Sequence, residues 1–145
     1  MFRRRGDAID VLLVHPGGPF FAKKDHGAWS IPKGEIEPGE EPLTRAKIEF
    51  EEELGVKPAG DFFEIGSVKQ KGGKVVHAWA FECDLGEDFQ LRSNTFDMEW
   101  PPRSGQTQSF PEVDRAEFFP LEIAREKING AQAEFLDRLV SLRRG

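Results

Sequence analysis

Three glutamates, Glu49, Glu52 and Glu53, stand three and four residues apart within Glu40 to Leu54, a run whose composition favours a helix. At about 100° per residue from Leu43, they fall near 240°, 180° and 280°, on one face. Ala46, Phe50 and Leu54 return to within about 60° of Leu43 and form the apolar face. Like charges at these spacings repel by a few tenths of a kcal/mol per pair, so folding alone gives no reason to gather them. A divalent cation reverses that cost. Hard cations such as Mg²⁺ take oxygen ligands, keep several waters and commonly sit between a few carboxylates and substrate phosphates. The competing reading is a solvated acidic face, and the glycines around the run weigh against it.

Other residues carry weaker signals. Lys23, Lys24, Lys69, Lys71 and Lys74 are candidates for phosphate contacts or for ordinary surface solvation. His15, His26 and His77 lack the spacing to carboxylates or thiols that builds a zinc site, so packing or a loop hydrogen bond is expected for each. Phe96, Trp100 and Phe110 either stack on a nucleobase or anchor the segment that carries them. The single cysteine, Cys83, excludes an internal disulfide and reads as a packed thiol.

The elements that must position these groups follow from patterning. Ile9 to His15 reads as a buried strand closed by Pro16-Gly17-Gly18-Pro19, and His26 to Gly39 as a loop rich in glycine and proline. Glu40 to Leu54 is the helix, with Pro42 in its first turn and Gly55 as its stop. Phe62 to Val68 and Val75 to Cys83 form a hairpin about Gly72-Gly73. Gln90 to Pro111 reads as a long irregular stretch, Phe118-Phe119 as a short strand, and Leu121 to Ile128 and Gln132 to Leu142 as helices. The interleaving predicts an α/β fold, a mixed sheet with helices on its faces.

The 145 residues suit one domain spanning 1–145, and 38% hydrophobic content with 13 Phe and 3 Trp is enough to fill its core. The formal charge of −6 argues against binding a nucleic acid polymer by bulk electrostatics but leaves room for a phosphorylated small molecule. No apolar run reaches the roughly 18 residues of a membrane helix, and Asp7 and Asp10 break any leader-like segment, so a cytoplasmic protein without a membrane partner is expected.

The spacing Gly34, Glu40, Glu49, Phe50, Glu52, Glu53, Gly55, Val56 resembles the Nudix box. That box runs glycine, five residues, glutamate, seven residues, arginine-glutamate-aliphatic, one residue, glutamate-glutamate, one residue, glycine-aliphatic. Eight of the nine fixed positions match over 23 residues. Trp29 to Gly34 is similar to the family's entry into the box, and Glu112 ahead of Phe118-Phe119 is similar to its downstream carboxylate, with Asp114 as the fallback.

The resemblance implies an α/β/α Nudix fold, its mixed sheet sandwiched between helices, and MutT-like hydrolysis of a nucleoside diphosphate linked to another group. It implies Glu49 and Glu53 as leading metal ligands, Glu52 as a ligand or water-orienting base, Glu112 as a further ligand and the Lys33 carbonyl as another. Mg²⁺, or Mn²⁺ in its place, is the implied cofactor, and a nucleotide or nucleoside polyphosphate the implied substrate. Lys33, Arg45, Lys69 and Trp100 are the substrate-binding candidates, and Glu40 braces the loop. The Pro-Lys-Gly entry leans towards dinucleoside polyphosphates, against which stands the absence of any Tyr. One box position departs: Ile48 stands where the family has arginine. Arg45, four residues before Glu49, is in reach to substitute for it, and otherwise the chain is a non-catalytic nucleotide-binding module. The family's opening strand is also expected either to be shortened here or to be lost by truncation relative to its relatives, since almost nothing precedes Met1-Phe2.

Overall fold

The computed structural model describes residues 1–33, 38–70 and 72–144. Its centre is β2, Ala8–Pro16, flanked antiparallel by β1, Phe2–Arg5, and by β7, Val113–Pro120. β2 is buried on both faces, which is why Val11 to Val14 is a continuous aliphatic run rather than an alternation. Ile9, Val11 and Leu13 pack with Trp29, Ala124, Ile128, Leu136 and Leu139 on one side. Leu12 and Val14 pack with Phe50, Leu54, Phe81 and Val113 on the other. The first side is covered by α2, Leu121–Lys127, and α3, Ala133–Arg144; the second by α1, Pro42–Leu54. Helices therefore cover both faces of the central strand.

β3, Phe63–Lys69, and β4, Val75–Ala80, make the expected hairpin. Just past β4 the chain joins β1 in parallel: Phe2 N–H donates to the Phe81 carbonyl at 3.1 Å and Cys83 N–H to the Phe2 carbonyl at 3.0 Å. That parallel link makes the sheet arrangement mixed. β1 reaches only as far as Val11, and beyond it Ser30 pairs with Val14 through bonds of 2.8 and 3.0 Å. The segment leading to Lys33 is thereby stitched to the central strand.

Two expectations need correcting. Gln90 to Pro111 is not irregular throughout, since β5, Thr95–Glu99, and β6, Thr107–Pro111, form an antiparallel hairpin. Its strands half-bury only one face, where Phe96 meets Phe110 and Met98 stands opposite Gln108, and the opposite face is exposed, so the hydrophobic signal of a strand is weak. The strand expected at Phe118-Phe119 is eight residues long because it borders β2 along its length.

Candidate active site

Helix α1 starts where the sequence supplies a cap. The Glu41 carboxylate accepts from the N–H of Leu43 and of Thr44 at 3.2 and 2.7 Å, with Pro42 in the first turn. It stops at Gly55, whose left-handed φ of 79° lets its N–H return to the Glu51 carbonyl. A Cβ on Gly55 would lie 2.6 Å from Cβ of Arg92, so glycine also permits the approach of the segment after β4. Phe50 and Leu54 face the core, and the wheel then sets Glu49 and Glu53 at its margin, where both are buried. Glu52 is half-buried, and Ile48 is 41% exposed on the opposite side.

Among the described residues, each buried carboxylate is held through one oxygen. Glu53 Oε2 accepts the Lys33 N–H at 2.8 Å, which places the Lys33 backbone beside the helix. Glu49 Oε1 accepts from Arg45 Nη2, four residues earlier, and Nε of Arg45 lies 3.8 Å from Glu40 Oε2. Burial pushes the Glu53 carboxyl up to about 8, with the Glu49 and Glu112 charges adding to it against the Lys33 hydrogen bond. Burial also raises Glu49, helped by Glu52 and Glu112 and opposed by Arg45. The second oxygen of each group leaves acceptor capacity that these donors do not fill.

Glu112 reaches this helix through the backbone. Asn94 N–H donates to the Glu52 carbonyl, Glu112 N–H to the Asn94 carbonyl, and Gly17 N–H to the Glu112 carbonyl, at 2.8, 2.8 and 3.0 Å. A Cβ on Gly17 would lie 2.0 Å from the Pro111 carbonyl oxygen, so only glycine allows this crossing. Glu112 is the one residue between β6 and β7 and acts on both buried carboxylates. Asp114, by contrast, is bonded to His15.

The other candidates are more dispersed. Lys69 ends β3, opposite Val75, with no hydrogen bond or ion pair to the carboxylates among the described residues. It is nonetheless beside Gln70, which shares a 3.4 Å contact with the buried Gln132, whose Oε1 accepts the Ile31 N–H. Trp100 stands beyond β5, away from the helix, with its ring edge-on to Phe20 at 5.7 Å. An apolar cavity lies behind the apolar face of α1, lined in part by Pro32, Leu43, Phe62, Trp79 and Leu136, and Pro32 adjoins Lys33. Gly34 and Lys71 lie outside the described residues. Asn94, Gly17 and Gln132 were not anticipated, because each acts through the backbone or through one long-range bond that no local pattern encodes.

Among the described residues, no three carboxylate, histidine or cysteine side chains converge into a metal-binding group. The donor set is nonetheless one of oxygens, with two carboxylates raised first by burial and further by neighbouring glutamate charges, which is the chemistry a hard divalent cation satisfies.

A family model described as the NUDIX domain matches residues 1–139. Among curated proteins, nothing matches the chain. Among solved structures, an Ap4A hydrolase of C. elegans in a binary complex superposes with a TM-score of 0.69 at 20% identity, covering 99% of this chain and 94% of that one. The NUDIX domain of Shewanella oneidensis NrtR, complexed with ADP ribose, gives 0.66 at 15% identity over 98% and 82%. The MutT protein of Methanosarcina mazei Go1 gives 0.59 at 19% identity over 99% and 91%. At these identities the likeness is one of fold.

Proposed function

The chain belongs to the NUDIX domain family, and on that premise we propose that it is a Mg²⁺-dependent pyrophosphohydrolase, cleaving a diphosphate linkage in a nucleotide or nucleoside polyphosphate. The observation that carries the reading is the pair Glu49 and Glu53, buried, mutually repelling and each bound through a single oxygen. Folding gains nothing from that pair without a cation. Glu49, Glu53 and Glu112, with Glu52 and the Lys33 carbonyl, would hold Mg²⁺ or Mn²⁺. The bound ion would neutralise the diphosphate and lower the pKa of a water.

The chain's own residues then orient and exclude. Lys33 N–H fixes the rotamer of Glu53, and Arg45 fixes that of Glu49. Glu52, half-buried on the same face, is the group best placed to orient the attacking water. The cavity beside Pro32 supplies an apolar, aromatic-lined wall for the moiety attached to the phosphates. Trp100 and Lys69 contact the substrate's more distant parts. One structural neighbour is an Ap4A hydrolase and another was solved with ADP ribose, and both compounds are nucleotide derivatives, in keeping with this substrate class.

The second reading, a non-catalytic nucleotide-binding module, draws on Ile48. Ile48 is 41% exposed and brings no charge to the carboxylates where the family's arginine would. Arg45, engaged by Glu49 and beside Glu40, favours the enzyme. The test is incubation with a panel of nucleotides, nucleotide sugars and dinucleoside polyphosphates with Mg²⁺, reading released phosphate, pyrophosphate or mononucleotide. Turnover abolished by chelator is expected; binding without turnover across the panel would favour the second reading.

A further inference from the structure

β2 and β7 lose register beside the site: His15 stands opposite Arg115 but Pro16 opposite Val113, so Asp114 is the extra residue of a β-bulge. A bulge reverses the alternation of faces along a strand. Ala116 and Phe118 pack with the α1-side cluster, and across the bulge Val113, an odd position, joins the same cluster. Glu112 immediately precedes it and is tied to the end of α1 through Asn94.

The bulge residue is captured by a buried histidine. Nδ1 of His15 donates to Asp114 Oδ1 at 2.7 Å, and Nε2 donates to the Lys24 carbonyl at 2.6 Å. His15 is fully buried, its ring edge-on to Trp29 at 5.2 Å. The two ring nitrogens bridge a carboxylate on one edge and a carbonyl on the other, a task no apolar ring of that size performs. The loop that supplies the Lys24 carbonyl is fastened a second time, where Trp29 Nε1 donates to Asp25 at 2.8 Å.

We propose that the Asp114–His15–Lys24 bridge is a positioning clamp: it fixes the bulge that sets Glu112 against the α1 carboxylates, and it ties to that bulge the loop carrying Phe20, Lys23 and Lys24. The clamp itself is read from geometry, while its consequence rests on the proposed role of Glu112. Asp114 then acts through Glu112 rather than as a metal ligand in its own right. The aromatic and basic side chains of the loop are held in a fixed relation to the acidic site, although 88 residues separate Lys24 from Glu112 in the sequence (112 − 24).

The experiment combines Mg²⁺ calorimetry with backbone amide hydrogen exchange on the full chain. The variants are Asp114→Ala, Asp114→Asn, His15→Gln, Glu112→Gln and the Glu112→Gln/Asp114→Ala double. Asp114→Ala is expected to weaken Mg²⁺ binding about tenfold and to speed exchange in residues 17–28 and 112–116 while α3 stays protected. Asp114→Asn, which keeps a hydrogen-bonding partner for the ring, stays within about threefold of wild type. In the Glu112→Gln background, Asp114→Ala adds no further loss of affinity. His15→Gln, whose single amide nitrogen cannot span Asp114 and the Lys24 carbonyl as the two ring nitrogens do, repeats the exchange pattern and serves where Asp114→Ala does not fold. Additive losses in the double variant, or unchanged exchange in residues 17–28 in both Asp114→Ala and His15→Gln, overturn the proposal. A wild-type chain with no Mg²⁺ affinity overturns the functional reading instead, and the exchange arm then decides the clamp by itself.

Discussion

Glu53 is buried with one donor on one oxygen, and burial raises its carboxyl from 4.5 to about 8. Between those values the folded state retains a proton that the unfolded chain has released, so the metal-free protein loses stability as pH rises through that window. Glu53→Gln keeps an acceptor for the Lys33 N–H and removes the charge. At pH 7.5 the metal-free variant should be more stable than wild type by roughly 1–3 kcal/mol, as read by urea unfolding. A variant that is less stable than wild type would contradict this account of the buried charge. Arg45 supplies the opposite test. Its partner Glu49 is nearly buried while its own side chain is 28% exposed, so Arg45→Ala should cost more than the 0–1 kcal/mol or so of a surface pair. Without that cation the carboxylates gain proton affinity, and Mg²⁺ dependence should shift to higher concentration. Ile48→Arg, on the exposed turn beside it, should restore part of the loss in the double variant; small additive changes in kcat and Mg²⁺ dependence across the cycle would make Arg45 an ordinary surface charge.

At the scale of elements, the β1–β2 hairpin is held by an unusual internal charge. Asp10 is 3% exposed within an aliphatic strand and accepts from Arg5 at 3.1 and 3.2 Å and from Arg3 at 3.2 Å. The Arg5 and Arg3 hydrogen bonds hold its carboxyl below the ordinary 3.8, against the cost of burial. The sign follows: this stabilisation is present above the unfolded value near 3.8 and is lost as pH falls through the lower folded value. Asp10→Asn should therefore destabilise the protein by roughly 1–3 kcal/mol at pH 7 and by less near pH 3, measured by thermal melts at both. Equal losses at the two pH values would count against it. Gly55 governs the other end of the site. Gly55→Ala meets both a left-handed φ and the Arg92 contact, so a loss of about 1–3 kcal/mol is expected, together with weaker metal binding as Asn94 and Glu112 shift. Helix α1 was legible in the sequence because its charge spacing and its 3.6-residue apolar period coincide, with a cap residue and a stop glycine at its ends. The β5–β6 hairpin was not, because polar cross-strand pairs such as Asp97 with Ser109 and Glu99 with Thr107 carry no burial signal. The packing and loop hydrogen bond expected of His15 are both present, but its partner Asp114 was hidden, because the bulge is a property of pairing rather than of either strand alone.

Across the whole molecule, one strand buried on both faces separates the helix that carries the carboxylates from the two helices that close the opposite side. The sequence displays that plan in the aliphatic run Val11 to Val14 and in the family spacing of Gly34 to Val56. It does not display how the third part of the site arrives. Glu112 lies 59 residues after Glu53 (112 − 53) and is delivered by a relay of three backbone hydrogen bonds through Asn94 and Gly17. An excess of carboxylates over the whole chain, a charge of −6, accords with a pocket built to concentrate a cation before an anionic substrate. The central claim is that the α1 carboxylates are a cation site, and a Mn²⁺ titration followed by electron paramagnetic resonance tests it most directly, since the signal reports the free ion. Wild type should take up Mn²⁺ in the absence of nucleotide, with Mg²⁺ competing, and Glu53→Gln should bind at least about tenfold more weakly. Identical isotherms for the two proteins would contradict the account.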